Sequence, residues 1–121
     1  MRPSERRSEN TLRGTYLFAD HGVDTTGKTF AGVGYEVFDG NGNIEGVFSA
    51  NYSRNITRKV KFSGTYTVDA DCTGTVRLTD GTRYDLFIAP DGSMFAWVQT
   101  KPPEYVVSGL ERRVTRQRVG E

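Results

Sequence analysis

The sequence predicts an all-β fold: a single eight-stranded antiparallel up-and-down β-barrel with short charged terminal tails. Eight stretches alternate apolar and polar residues with a period of two. Clusters of glycine, aspartate and asparagine separate them, and nothing between residues 13 and 114 carries a 3.6-residue period. The links are short, which suits strands that pair with their sequence neighbours. Closure removes exposed edges, and eight strands enclose just enough room for side chains or one small ligand. A β-sandwich is the structural alternative, but it normally needs longer crossovers.

The first strand, 14–21, puts Tyr16, Phe18 and Asp20 on one face, with His21 at its exit. His21 is the only imidazole and could serve as a general base; a lone histidine at a strand end also fits a plain polar rim. The second strand, 29–38, carries Phe30, Gly32, Gly34, Glu36 and Phe38 on one face and Ala31, Val33, Tyr35 and Val37 on the other. Two glycines on a single face mark a place where a strand bends sharply in a closed barrel. With that face inward, Glu36 sits in the lumen among aromatics. Desolvation then raises its pKa, and such a carboxyl can act as an acid, a base or a hydrogen-bond donor. With it outward, Glu36 is a solvated surface charge.

Asp39-Gly40-Asn41-Gly42-Asn43 supplies residues that tolerate positive φ for the next reversal. The third strand, 44–54, then turns Ile44, Phe48, Ala50 and Tyr52 inward, and the fourth, 59–68, turns Val60, Phe62, Gly64, Tyr66 and Val68 inward. The fifth, 73–79, contributes Val76 and Leu78. Asp80-Gly81, the dipeptide favoured in a two-residue hairpin, leads to the sixth, 82–89, whose two faces do not separate by composition. After Pro90-Asp91-Gly92, the seventh strand, 94–100, places Phe95, Trp97 and Gln99 inward opposite Met94, Ala96 and Val98. The reverse would leave Trp97 in solvent or at an oligomer contact. Gln99 closes the aromatic row; a buried amide needs partners, so it bonds a neighbouring backbone group or receives a ligand oxygen. The eighth strand covers 105–114.

At 121 residues the chain makes one domain: residues 1–12 as an N-terminal tail and candidate lid, 13–114 as the barrel, and 115–121 as a C-terminal tail. Eight of the twelve arginines lie at the two ends. Glu5, Glu9, Glu111 and Glu121 offset them there, so the ends read as solvated tails or as a segment folding over a barrel mouth. The net charge of +1 argues against nucleic acid as a partner, because phosphate binding needs concentrated positive charge. One Cys excludes an internal disulfide, and one Cys with one His cannot make a zinc site; no metal and no cofactor are expected. No apolar run approaches a membrane span, so no membrane is expected as a partner. The first ten residues carry positive charge with no apolar stretch behind it, unlike a secretory signal, and a cytoplasmic location is the expectation.

Several motifs fail on inspection. Asp39–Ile44 begins like a calcium loop, but Ile44 and Ala50 stand where the EF-hand needs glycine and glutamate. Gly32-Val33-Gly34 lacks the third glycine and the helix of a dinucleotide site. Cys72 has no histidine near it in sequence, and only His21 could serve a Ser-His-Asp set.

Gly14-Thr-Tyr-Leu-Phe18, Ala31 through Asn43, and Gly64 through Val76 together resemble the bacterial relatives of the allene oxide cyclase-like barrels. The likeness continues through Gln99-Thr100 to Gly109 and Arg112-Arg113, covering about residues 14–113. It rests on turn glycines and strand alternation, which are specific for fold and weak for activity. The resemblance implies a dirigent-like architecture around an apolar cavity and cofactor-independent cyclisation. In type it is closest to the bacterial spirotetramate-forming Diels–Alder cyclases, whose N-terminal extension can act as a lid. On that reading the substrate is a linear polyene or polyketide intermediate. Tyr16, Phe18, Phe48, Tyr52, Tyr66, Phe95 and Trp97 would line its binding surface, and Gln99 with protonated Glu36 would polarise a carbonyl. Glu36 replaces an apolar residue typical of these barrels. Relatives associate through their outer faces, which makes a homo-oligomer compatible with the resemblance. A non-catalytic carrier of a small apolar ligand and a structural or interaction module with a packed lumen remain the other readings.

Overall fold

The computed structural model describes residues 8–119. A short 3-10 turn (Glu9–Thr11) precedes β1 (Arg13–Asp24), β2 (Thr29–Asp39), β3 (Asn43–Tyr52) and β4 (Asn55–Val68). Then follow β5 (Thr73–Leu78), β6 (Arg83–Ile88), β7 (Met94–Lys101) and β8 (Tyr105–Thr115). Every strand pairs antiparallel with its sequence neighbours, and β8 returns to pair with β1, so the barrel is closed and up-and-down as the alternation predicts.

The largest departure is at β4, which begins at Asn55 rather than near 59. Phe48 pairs with Val60, but Ala50 pairs with Thr57, so one extra β4 residue sits against β3. Lys59 absorbs this bulge with φ of 50°, and its N–H donates to Ser49 Oγ at 3.0 Å. The slip changes which residues face inward beyond that point. Thr57 on the Asn55 side of the bulge lines the lumen, while Val60, expected inward, keeps its register opposite Phe48 but is 38% exposed. The faces left open in β6 are settled by burial: Leu86 and Ile88 point in, with Tyr84 packed behind them.

One end of the barrel is solid. Phe38 stands at the centre of an aromatic layer, edge-on to Tyr16 at 5.1 Å, to Tyr66 at 4.9 Å and to Phe95 at 5.6 Å between ring centroids. Such edge-to-face pairs add about 0.5–1.5 kcal/mol each beyond their buried area. Leu12, fully buried, caps this layer from outside. The Tyr66 hydroxyl donates to the carbonyls of Glu9 and Leu12 at 2.7 and 2.8 Å, and Arg113 Nη2 donates to the Thr11 carbonyl at 3.1 Å.

The expected N-terminal tail therefore takes a different form in its described part. Residues 8–12 are a plug in the closed end of the barrel, not a free segment or a lid over a mouth; residues 1–7 lie outside the described residues. At the other terminus Thr15 Oγ1 donates to the Gln117 carbonyl at 2.7 Å and accepts from Val119 N–H at 3.0 Å. Arg118 pairs with Glu45 on the outer wall.

Apolar residues also occur outside. Phe87, Ala96, Leu110, Ala19 and Val33 lie in register across β6, β7, β8, β1 and β2, with Phe87 67% exposed. Among the described residues no helix is long and apolar enough to cross a membrane.

Candidate functional site

Above the aromatic layer the lumen is not filled. A cavity of about 430 Å³ opens at the end opposite the plug. Its mouth is framed by the β1–β2, β3–β4, β5–β6 and β7–β8 hairpins, through Asp24, Tyr52, Asp80 and Pro102. Phe95 belongs both to the cavity lining and to the packed layer, so it forms part of the floor. Phe18, Phe30, Phe48, Phe62, Tyr84 and Trp97 supply aromatic wall.

Three carboxyls stand in this apolar wall: Asp20 of β1, Glu36 of β2 and Glu111 of β8. Glu36 and Glu111 are 7% and 4% exposed. Their carboxyls face each other closely enough for each to shift the other's pKa. Burial raises the pKa of Glu36. Burial pushes Glu111 well up, reinforced by the charge and contact of Glu36 and opposed by the nearby Trp97 indole. Asp20 is raised to about 6, again chiefly by burial. One oxygen each of Asp20 and Glu111, and the indole Nε1 of Trp97, are buried with no hydrogen-bond partner. Unpartnered buried polar atoms are costly, and a ligand donor would satisfy the two carboxyl oxygens.

Arg113 is the next inward position of β8 and does not neutralise this group. Its guanidinium lies 5.3 Å from the centre of the Tyr16 ring and bonds Thr11 in the plug. At the mouth Asp24 differs from these three carboxyls. Hydrogen bonds from Thr26 and from the Tyr52 hydroxyl hold its carboxyl well below the usual range, and Tyr52 is pushed up to about 12.

Inward glycines make the room for these side chains. A Cβ at Gly32 would lie 2.6 Å from Asp20 Oδ1, and one at Gly109 would lie 2.8 Å from the Trp97 ring and 3.0 Å from Asp20 Cβ. The glycine face of β2 thus accommodates the side chains of the adjoining strand as well as curvature.

Of the residues singled out by sequence, Glu36, Phe18, Phe48, Tyr52, Phe95, Trp97 and Gln99 all line the cavity. Tyr16 and Tyr66 do not. Both belong to the closed end, where their hydroxyls bond the backbone of Gly92 and of the plug, so they hold the fold rather than a ligand. Gln99 is engaged locally: Nε2 donates to the Pro102 carbonyl at 3.1 Å. His21 is exposed outside the lumen. Glu111, counted among the terminal charges, is instead the most deeply buried carboxyl of the site. Its signal was present in the alternation Val107, Gly109, Glu111, which continues the inward face of β8. Tyr84, 4.8 Å from Trp97 between ring centroids, was reachable only once the β6 face was known. Among the described residues no group of three or more His, Cys, Asp or Glu side chains is placed to hold a metal ion.

The fold and the site define a small closed β-barrel with a one-mouthed aromatic lumen. No protein-family model matches the chain, and no characterised protein matches its sequence. Among solved structures it is similar to a redesigned β-barrel, mFAP1, described as bound to DFHBI. That likeness has a TM-score of 0.50 at 18% identity and covers 87% of this chain and 97% of the other. It is also similar to a de novo designed fluorescence-activating β-barrel, with a TM-score of 0.46 at 17% identity, covering 87% of this chain and 95% of that one. At these identities the likeness concerns the fold.

Proposed function

We propose that this protein is a small-molecule-binding barrel that holds an apolar ligand inside its lumen. The observation that carries the reading is the contrast between the two ends: one plugged and packed with aromatics, the other leading to a cavity of about 430 Å³. A barrel serving only as a scaffold would gain from filling that space, since packed interiors are the stable solution. Ligand pockets characteristically combine apolar walls with a few placed polar groups, which is the make-up of this lumen. The redesigned barrel of similar fold is described as bound to DFHBI, which supports ligand holding for the architecture.

The test uses Nile red, a neutral dye whose emission shifts and brightens in apolar surroundings. Saturable, one-to-one enhancement should be lost in Ala50→Trp, which fills the lumen, and kept in Phe87→Ser, which alters only the outer face. Loss in Phe87→Ser with retention in Ala50→Trp would place the dye outside and overturn the reading.

The buried carboxyl pair favours a second reading, cofactor-independent cyclisation of a polyene or polyketide chain. A carboxyl that keeps its proton in an apolar pocket is a hydrogen-bond donor able to polarise a carbonyl as the chain folds. Gln99 contributes less to this reading than the resemblance implies, because its amide is held by Pro102. Conversion of a linear intermediate to an isomer of identical mass, lost in Glu36→Ala, would support it.

A further inference from the structure

We infer that the lumen takes a cationic ligand: an apolar molecule bearing a protonated amine, seated against Glu36, Glu111 and Asp20. The inference rests on the ligand-binding reading above and names the ligand's chemistry. Five acidic side chains line the cavity, the three named together with Asp24 and Asp80 at the mouth. Among the described residues no lysine, arginine or histidine lines it. Such a one-sided lining attracts a cation and repels a carboxylate.

The charge alone would be an acidic cluster; the state of its oxygens says more. Asp24 is already satisfied by Tyr52, Thr26 and Lys28 N–H. Glu111 and Asp20, by contrast, each keep a buried oxygen with no donor, and Arg113 is turned away toward the plug. An ammonium group carries three donors and no acceptor, which matches what these oxygens lack. The walls suit the same ligand. Trp97 and Tyr84 stand edge to face beside the carboxyls, and aromatic faces attract cations through the ring quadrupole. A neutral polyene would use the walls and leave the acidic oxygens unsatisfied.

Trp97 is the single tryptophan, so its emission on excitation at the red edge reports on the lumen directly. The experiment titrates the protein at neutral pH with phenylbutylamine, phenylbutanol and phenylbutyrate, which share an apolar body and differ in the terminal group. The amine should bind about tenfold or more tightly than the alcohol, the increment expected of one charge-assisted hydrogen bond, and the acid should bind weakest. Glu111→Gln and Glu36→Gln should each remove most of the amine's advantage over the alcohol; both substitutions preserve shape and remove an ionisable group, so folding is maintained. Equal binding of all three compounds would overturn the cationic inference and leave ligand binding standing. Tightest binding by the acid would overturn it as well. No change in Trp97 emission with any compound, together with no Nile red enhancement, would remove both.

Discussion

Glu36 on β2 and Glu111 on β8 are separated in the sheet by β1, yet their carboxyls come together inside the barrel, close enough for each to shift the other's pKa. The curvature of a closed sheet brings them together. Phe18 pairs with Glu111 on one side of β1 and Tyr16 with Glu36 on the other, and all four side chains belong to the inward face. Two carboxyls so placed are a liability to stability and a resource for recognition.

The liability has a pH signature. Asp20, Glu36 and Glu111 all have raised pKa values in the folded state, so the folded protein binds more protons than the unfolded chain. Their favourable contribution is therefore complete below about pH 4 and is lost as pH rises through the folded pKa values, near 6 for Asp20. Exposed Asp24, Asp39, Asp71 and Asp91 are shifted the opposite way and matter only on the acid side. Urea unfolding should thus give lower stability at pH 8 than at pH 5. In Glu111→Gln the difference should shrink.

Ligand binding should follow the reverse trend. Asp20, Glu36 and Glu111 face the lumen beside Tyr84 and Trp97, and each proton they lose strengthens attraction for an amine. Affinity for phenylbutylamine should rise between pH 5 and pH 8, while that for phenylbutanol should change little; Trp97 titrations at the two pH values measure both.

Gly109→Ala should disturb the site without touching a carboxyl. The added methyl meets the Trp97 ring and Asp20 Cβ, so the indole must shift. Overpacking of this kind costs roughly 1–3 kcal/mol. The emission maximum of Trp97 should move, and amine affinity should fall.

The plug should matter for stability and not for ligand choice. Leu12→Ala empties a fully buried position and should cost roughly 2–5 kcal/mol in urea unfolding. Tyr66→Phe leaves the Glu9 and Leu12 carbonyls without their donor and should cost about 1–3 kcal/mol. In neither variant should the order amine, alcohol, acid change.

Gln99→Ala separates the two readings of the lumen. Its amide is bonded to Pro102, so a binding barrel should keep its amine affinity within about threefold, since no charge-assisted contact is lost. A cyclase using Gln99 to polarise a carbonyl should lose turnover.

The barrel was legible because strand alternation and turn glycines are local signals. Two-residue periodicity grouped Phe95 with Trp97 and Glu36 with the β2 glycines but left open which way Glu36 faces; the closed barrel turns all three to the lumen. What escaped depended on non-local geometry. Lys59 shifts β4 by a bulge, which brings Thr57 to the lumen. Tyr16 and Tyr66 share the inward face with the site residues, but depth along the barrel depends on strand tilt and on which end the plug fills, and no single strand encodes either. Glu111 sat among terminal arginines in the sequence, and only closure of β8 on β1 carries it into the lumen.

The most direct test is a crystal structure of the protein soaked with phenylbutylamine. The phenyl ring should lie among Phe18, Tyr84 and Trp97, with the ammonium within hydrogen-bonding distance of Glu36, Glu111 or Asp20. An amine bound only on the outer face around Phe87 and Leu110, with the lumen collapsed onto its own side chains, would contradict it.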